Sequence, residues 1–313
     1  MSAVVKESNK GASSSFLGRI ANNQVILGYL FILPSLIGFT LFFAVPALRS
    51  VVISFNQWNL LSDAKYVGLD NYNTLFSDAR FWDSLKTTVT YVLWNIPLQT
   101  ILALGIAVMM DQIHNSAFLR GIVIIPWLLP NVVVGLLFLW ILDPSLGIMN
   151  KFLGIFGIPQ QPFLGSPDQV IPAIAGINIW RYTGYNAILI FAGLKTIPKS
   201  LYEAGSIDGA NGWVRFRRIT LPLLRPIMVF VLVTTVIGSF QIFDTVAITT
   251  RNGGPAGSAR VIIYYIYDQV FNRRFNMGVA TAASVVLFLI LITVTIIQTR
   301  YLRAGQSDLA DYS

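Results

Sequence analysis

Six apolar runs, each about long enough to cross a bilayer, constrain this chain more than any other feature. They lie at roughly 25–46, 87–110, 118–142, 170–193, 221–247 and 279–301. A hydrocarbon core about 30 Å thick needs about 20 apolar helical residues. With no water to satisfy the backbone there, each run must be helical. Composition agrees: 55% of the residues are hydrophobic and 12% charged, with a mean hydropathy of +0.65, where a soluble domain carries about 25% charged residues. The expected fold class is an all-α integral membrane protein of about six transmembrane helices. Pro34, Pro97, Pro126, Pro130 and Pro172 fall within or at the ends of the runs, where neighbouring helices and polar side chains re-satisfy the freed carbonyls. Pro126 and Pro130 bracket Trp127 and predict a bend in the third helix.

The first run follows a polar, Ser-rich segment and exceeds the 7–15 residues of a signal-peptide core, so it reads as a retained anchor. Residues 1–24 are expected to be a cytoplasmic tail, 25–301 the transmembrane domain and 302–313 a second cytoplasmic tail. Orientation rests on Lys195, Lys199, Arg215, Arg217, Arg218 and Arg225 between the fourth and fifth runs, the densest basic cluster, which the positive-inside rule assigns to the cytoplasm. The net charge of +8 therefore reads as membrane orientation, not as a nucleic-acid groove. The outer segment 47–86 carries Trp58, Tyr66, Tyr72, Phe76, Phe81 and Trp82, rings suited to the headgroup layer or to a docking face.

Cysteine is absent and His114 is the single histidine. Thiolate sites and His clusters are thereby excluded, and His114 reads as a solvated turn residue. No G-x-x-x-x-G-K-[ST] loop is present, so ATP chemistry is not expected in this chain, nor any cofactor.

Between the fourth and fifth runs lies Leu201–Pro226, too polar to span and too patterned for a plain connector. Glu203, Ala204, Gly205, Asp208, Gly209 and Ala210 predict a short helix rich in small residues, which let another surface come close, followed by a turn at Gly209–Gly212. Here the chain closely resembles the permeases of bacterial ABC importers. Their signature is Glu-Ala-Ala, three residues, Gly, nine residues and Ile-x-Leu-Pro. This chain has Glu203-Ala204-Gly205, then Gly209, then Ile219-Thr220-Leu221-Pro222, departing only at Gly205. The likeness extends to the carbohydrate-uptake permeases of the maltose, lactose and glycerol-phosphate group. It is carried by Ile125-Pro126-Trp127 with Pro130, by Ile141–Pro144 with Gly147 and Asn150, and by Phe243-Asp244 followed by Gly253-Gly254-Pro255. Tyr264–Phe271 and Met277-Gly278 with Ala280 continue it.

The resemblance implies the type I ABC importer permease fold in a bacterial cell membrane, with a cytoplasmic coupling loop at 200–220. It implies a second homologous permease, two ATP-binding cassette subunits that hold ATP and magnesium, and an extracytoplasmic solute-binding protein. Glu203, Ala204, Gly205, Asp208, Gly209 and Ala210 would couple the chain to the ATPase, with Arg215, Arg217 and Arg218 either contacting it or serving orientation alone.

Polar side chains at membrane depth are costly and mark substrate paths. Two clusters qualify: Trp180, Arg181, Tyr182, Tyr185 and Asn186 on the fourth run, and Ser239, Phe240, Gln241, Phe243 and Asp244 on the fifth. Rings beside amides and a carboxylate suit sugars, and relatives of the maltose type contact substrate from these two helices. Alternatives stand beside each. Trp180 and Tyr182 also fit interfacial aromatics, and Asp244 a structural role. Arg181 either snorkels, pairs with Asp244 or binds an anionic solute group. Two rival functions remain at this stage. An ion-coupled secondary carrier would want a relay of buried acids, where Asp244 nearly stands alone, and a membrane enzyme would want converging catalytic groups.

Overall fold

The structure is a computed structural model and describes residues 24–112, 117–272 and 275–303. His114, most of both tails and the basic pair Arg273–Arg274 lie outside the described residues. The chain divides into two units, 1–52 and 53–313. The first contains α1 (Gln24–Phe39), a π-turn at Thr40–Ala44 and the start of α2 (Val45–Ile53). Together these make one apolar helical run, Val25–Ile53.

The second unit opens with the segment expected to lie outside the membrane. Strands β1 (Asn56–Gln57) and β2 (Lys65–Tyr66) pair antiparallel, and α3 (Asp70–Ser77) follows. Then come α4 (Ala79–Gln112), α5 (Ala117–Leu128), α6 (Asn131–Ile141), α7 (Ile148–Ile155) and α8 (Val170–Leu194). The loop between α8 and α12 holds α9 (Lys199–Ile207), α10 (Gly212–Arg215) and, after a π-turn, α11 (Leu221–Leu223). The C-terminal third is α12 (Arg225–Phe240), α13 (Asp244–Thr249), α14 (Ile262–Tyr267) and α15 (Met277–Arg303).

Among the described residues four helical runs are long and apolar enough to cross a membrane, and five if α5 and α6 count as one bent span. The sixth expected position is α8. Its 25 residues reach ~38 Å at 1.5 Å each, but Asn178, Arg181, Tyr182 and Asn186 dilute its apolarity. The third expected span departs from expectation in degree: α5 and α6 meet at 89°, a break and not a gentle bend. Pro130 has no N–H to continue the helix. The fifth span is interrupted as well, because Gln241–Phe243 separate α12 from α13.

Helix α4 is the spine. Its buried residues fall three or four apart: Ser84, Thr88, Tyr91, Asn95, Gln99, Ala103, Ala107 and Met110. That is one helical face, polar in its first half and small or apolar in its second. The apolar half packs on Ala187, Ile190, Phe191 and Leu194 of α8, where the alanines let the backbones approach. The polar half is hydrogen-bonded; Ile262 N donates to Thr88 Oγ1 at 2.8 Å.

The outer segment docks on the start of α15. Asn71 Nδ2 donates to the carbonyls of Ser54 and Asn56, both at 2.9 Å, and Met277 N donates to Trp58 O at 3.0 Å. Gly278 sits against Asn56 O and the Asn71 amide with no room for a Cβ. Of the six rings expected as an interfacial layer, Phe81 is instead a core residue, 1% exposed and packed edge-on to Tyr265. Tyr72 hydrogen-bonds Ser54 Oγ at 2.8 Å. Tyr66, Phe76 and Trp82 are exposed.

Asp78 ties this segment to α14. It accepts from Arg80 Nε and Nη2 at 3.0 Å and from Tyr265 Oη at 3.1 Å. Burial opposes ionisation of Asp78, but the hydrogen bonds and charge of Arg80 outweigh it and hold the carboxyl below its ordinary value of 3.8. Burial, then the Asp78 charge, pushes the Tyr265 phenol up to about 12. A carboxyl whose folded pKa is depressed stabilises fully above its unfolded pKa and ceases to do so as pH falls through the folded value. Asp78→Asn is therefore expected to cost about 1 kcal/mol at pH 7, and thermal unfolding of the purified protein should show the gap to wild type closing below pH 4.

Candidate functional site

A cavity of ≈ 310 Å³ opens where the two broken spans meet α4 and α8. This is at the small end of the usual range for ligand pockets. Seven of the ten residues expected on the path line it: Tyr182, Tyr185 and Asn186 from α8, then Ser239, Gln241, Phe243 and Asp244. Trp180, Arg181 and Phe240 do not. Trp180 is 42% exposed and lies edge-on to Phe138 of α6. Phe240 is a core residue beside Leu75, Phe81 and Ile262.

Arg181 has a structural task. Its Nη2 donates to Leu129 O at 2.9 Å and its Nη1 to Tyr182 Oη at 3.2 Å, with the guanidinium 5.0 Å from the Tyr182 ring centroid. Leu129 is the residue just past α5, where a helix leaves its last carbonyls without partners. The cation therefore serves the negative end of a broken helix. It is not paired with Asp244. That carboxylate accepts from Asn131 Nδ2, so the first residue of α6 is joined to the first residue of α13. Close packing reinforces the junction, since a Cβ on Gly135 would lie 2.6 Å from Ile248 Cγ2.

The sequence reading missed the contributions of α4, of the α5–α6 break and of Asn178. Tyr91, Asn95 and Gln99 line the cavity, as do Trp127, Asn131 and Thr245. A polar residue at every fourth position of α4 was the available signal. The Trp127 indole stacks on Tyr185 with centroids 4.7 Å apart and planes at 15°. That stack depends on Gly184, because any Cβ there would fall on the Val123 carbonyl of α5.

Amides and hydroxyls hold the helices in register across the cavity. Asn95 Nδ2 donates to Ser239 Oγ and to Gln99 Oε1, both at 3.0 Å. Asn186 Nδ2 donates to Thr235 Oγ1 and Thr245 Oγ1 to Asn178 Oδ1, again at 3.0 Å. Two buried acceptors, Asn95 Oδ1 and Asn131 Oδ1, find no partner among the described residues. Stacked rings beside amides can hold the C–H face of a polyhydroxylated molecule while exchanging hydrogen bonds with its hydroxyls.

The loop between α8 and α12 is a helix–turn–helix. Glu203, Ala204 and Asp208 are exposed on and just beyond α9, while Gly205 and Ala210 are half-buried. The helix stops at Gly209, whose φ is +74°, a conformation glycine adopts without penalty. Ala210 N then donates back to Gly205 O at 2.8 Å, closing a Schellman-type end. Asn211 caps α10 by accepting from Val214 N at 2.9 Å. The arms are fastened by Arg215 Nη1 to Ser206 Oγ at 2.6 Å and by a Tyr202–Thr220 hydroxyl pair at 2.9 Å. At Gly205 a Cβ would lie 3.1 Å from Ile219 Cδ1, a contact that a shift of a few tenths of an ångström in that methyl would relieve.

If Arg181 closes the broken helix, Arg181→Met should lower the stability of the purified protein by about 1–3 kcal/mol in thermal unfolding, and Arg181→Lys should recover part of it. Unchanged melting, with a selective loss of anionic solute uptake, would instead make it a solute ligand.

Residues 103–306 match the family model described as the binding-protein-dependent transport system inner membrane component. The trehalose/maltose transport system permease protein MalF of Thermococcus litoralis is 31% identical over 295 residues, covering 94% of this chain and 98% of that protein. The sulfoquinovosyl glycerol transport system permease protein SmoG of Agrobacterium fabrum is 34% identical over 281 residues, covering 89% and 91%. In the crystal structure of a bacterial alginate ABC transporter in complex with an alginate pentasaccharide-bound periplasmic protein, one chain superposes with a TM-score of 0.77 at 25% identity, covering 94% of this chain and 99% of that one. These findings bear out the expected family and its all-α membrane fold. The chain belongs to the binding-protein-dependent transport system inner membrane components, the permeases of ABC importers.

Proposed function

We propose that this chain is one of two related permeases of an importer that carries a sugar or sugar-like solute across the bacterial inner membrane. The observation that carries the carbohydrate reading is the cavity at the two helix breaks, lined by the Trp127–Tyr185 stack and by amides from three helices and from Gln241 in the second break. Intramembrane sites of transporters are built where helices are discontinuous. The names of the relatives, which concern trehalose, maltose and sulfoquinovosyl glycerol, support the same class. An ion-coupled carrier finds no support in the family to which the chain belongs.

In this reading the motor is elsewhere. ATP and magnesium are held by two cassette subunits, and one of them grips α9 through the surface around Glu203, Ala204 and Asp208. Exposed Ile207 and Trp213, 87% and 68% accessible, supply apolar contact beside those polar groups. Closure of the ATPases moves the loop, and α11 and α12 carry that movement to the break at Gln241–Phe243. Access to the cavity then alternates as the two permeases rock against each other. An extracytoplasmic binding protein delivers solute to the outer face, the partner permease closes the other half of the path, and both termini face the cytoplasm.

Two measurements on the transporter assembled with its partners test this. Gly209→Val forces a β-branched residue to φ above zero, at a cost of about 1–2 kcal/mol or more, and should abolish solute-stimulated ATP hydrolysis while leaving membrane insertion intact. Tyr185→Ala removes the ring stack and should reduce uptake by roughly threefold to tenfold; Tyr185→Phe, which keeps the stack, should retain most of it. Full uptake by Tyr185→Ala would remove the cavity from the path.

A further inference from the structure

Tyr182 forms part of the cavity wall, and Arg181 sits buried behind it. As consecutive residues they leave α8 about 100° apart, so the arginine side chain folds back over the ring to reach the hydroxyl. Its Nη2 holds the Leu129 carbonyl, while Nη1 donates to Tyr182 Oη at 3.2 Å with the guanidinium 5.0 Å from the ring centroid. A phenol has one proton to give and lone pairs with which to accept. Here a cation takes a lone pair and repels the phenolic proton, so the O–H turns away from the guanidinium, toward the cavity. No hydrogen bond among the described residues takes that proton; the one made by Tyr182 Oη is the one it accepts from Arg181. Accepting from a cation also polarises the O–H and makes it the stronger donor. Once solute has displaced water, leaving such a donor unpaired costs about 1–3 kcal/mol.

We infer that Arg181 is a positioning residue for the solute: it fixes the Tyr182 hydroxyl as a hydrogen-bond donor into the cavity, so that transport selects a solute with a hydroxyl oxygen at that point. The inference rests on the sugar-importer reading above but is separable from it. Tyr182 touches the solute and Arg181 does not. A sugar that lacks this one hydroxyl leaves the Tyr182 proton unpaired, whereas a sugar that lacks a hydroxyl elsewhere on the ring still satisfies it.

The test is the ratio of uptake rates for a sugar and each of its monodeoxy analogues, measured with the complete transporter and its binding protein in proteoliposomes. The parent sugar is whichever of radiolabelled maltose, trehalose, lactose and sucrose the wild-type vesicles accumulate. The binding protein is the same throughout, so a ratio that changes between permease variants changes in the permease. At one deoxy position Tyr182→Phe, which keeps the ring under Arg181, should narrow the ratio about threefold to tenfold. Arg181→Met should narrow it at the same position, and the double variant should go no further than Tyr182→Phe alone, because both act on one hydroxyl. Arg181→Lys, which keeps the charge but not the fork, should narrow it part of the way, and it decides if Arg181→Met fails to assemble. An arginine with a structural role alone would slow parent and analogue alike and leave the ratio unmoved. A ratio unmoved by Tyr182→Phe at every position, or moved by Tyr182→Phe but not by the assembled arginine variant, overturns the inference and leaves the importer reading standing. Accumulation of none of the four sugars by wild-type vesicles counts against the sugar-importer reading itself, and the inference falls with it.

Discussion

The cavity in the membrane part of this protein depends on how two helix breaks are held by side chains from neighbouring helices, one of which satisfies a freed carbonyl. At depth in a bilayer an unsatisfied carbonyl costs several kcal/mol, so a helix can stop mid-membrane only where protein supplies the missing partner. The α5–α6 break is met by Arg181, which donates to Leu129 O. The start of α6 is joined to the start of α13 through Asn131 and Asp244, and Thr245 is held by Asn178. These contacts turn two local failures of helical structure into one defined cavity. They also explain why Arg181 is turned away from that cavity.

In the proposed function the same breaks link the cavity to the loop after α8. Helix α12 begins just beyond the loop that follows α8 and ends at Phe240, next to Gln241 on the cavity wall, so a single helical element joins that loop to the cavity. The loop is stiffened by its own turns and hydrogen bonds. Gly209 closes α9, Asn211 caps α10, and Arg215 and Tyr202 pin the two arms. The face of α9 that carries Glu203, Ala204 and Ile207 is exposed.

Much of this was legible in the sequence. Apolar runs located the membrane helices, and the spacing from Glu203 to Pro222 identified the family and the loop. Seven of the ten residues singled out by polarity at depth line the cavity. The failures have a common physical origin. Hydropathy measures how apolar a position is and not which way its side chain turns, so Trp180, Arg181 and Phe240 were grouped with neighbours on another helical face. The polar stripe of α4 was overlooked because averaging over a long apolar run hides a polar residue at every fourth place. Prolines signalled that the third span bends, but the 89° break depends on a partner, Arg181, that lies 52 residues further along the chain.

The central claim is that solute passes through the cavity at the two breaks. Because the natural chain has no cysteine, Gln241→Cys would provide the single thiol of this subunit on the cavity wall. The most direct measurement is its rate of reaction with a water-soluble thiol reagent in the assembled transporter as solute is added. The account predicts that labelling slows over the same solute concentrations that stimulate ATP hydrolysis. A labelling rate unchanged across that range would place the solute elsewhere and contradict it.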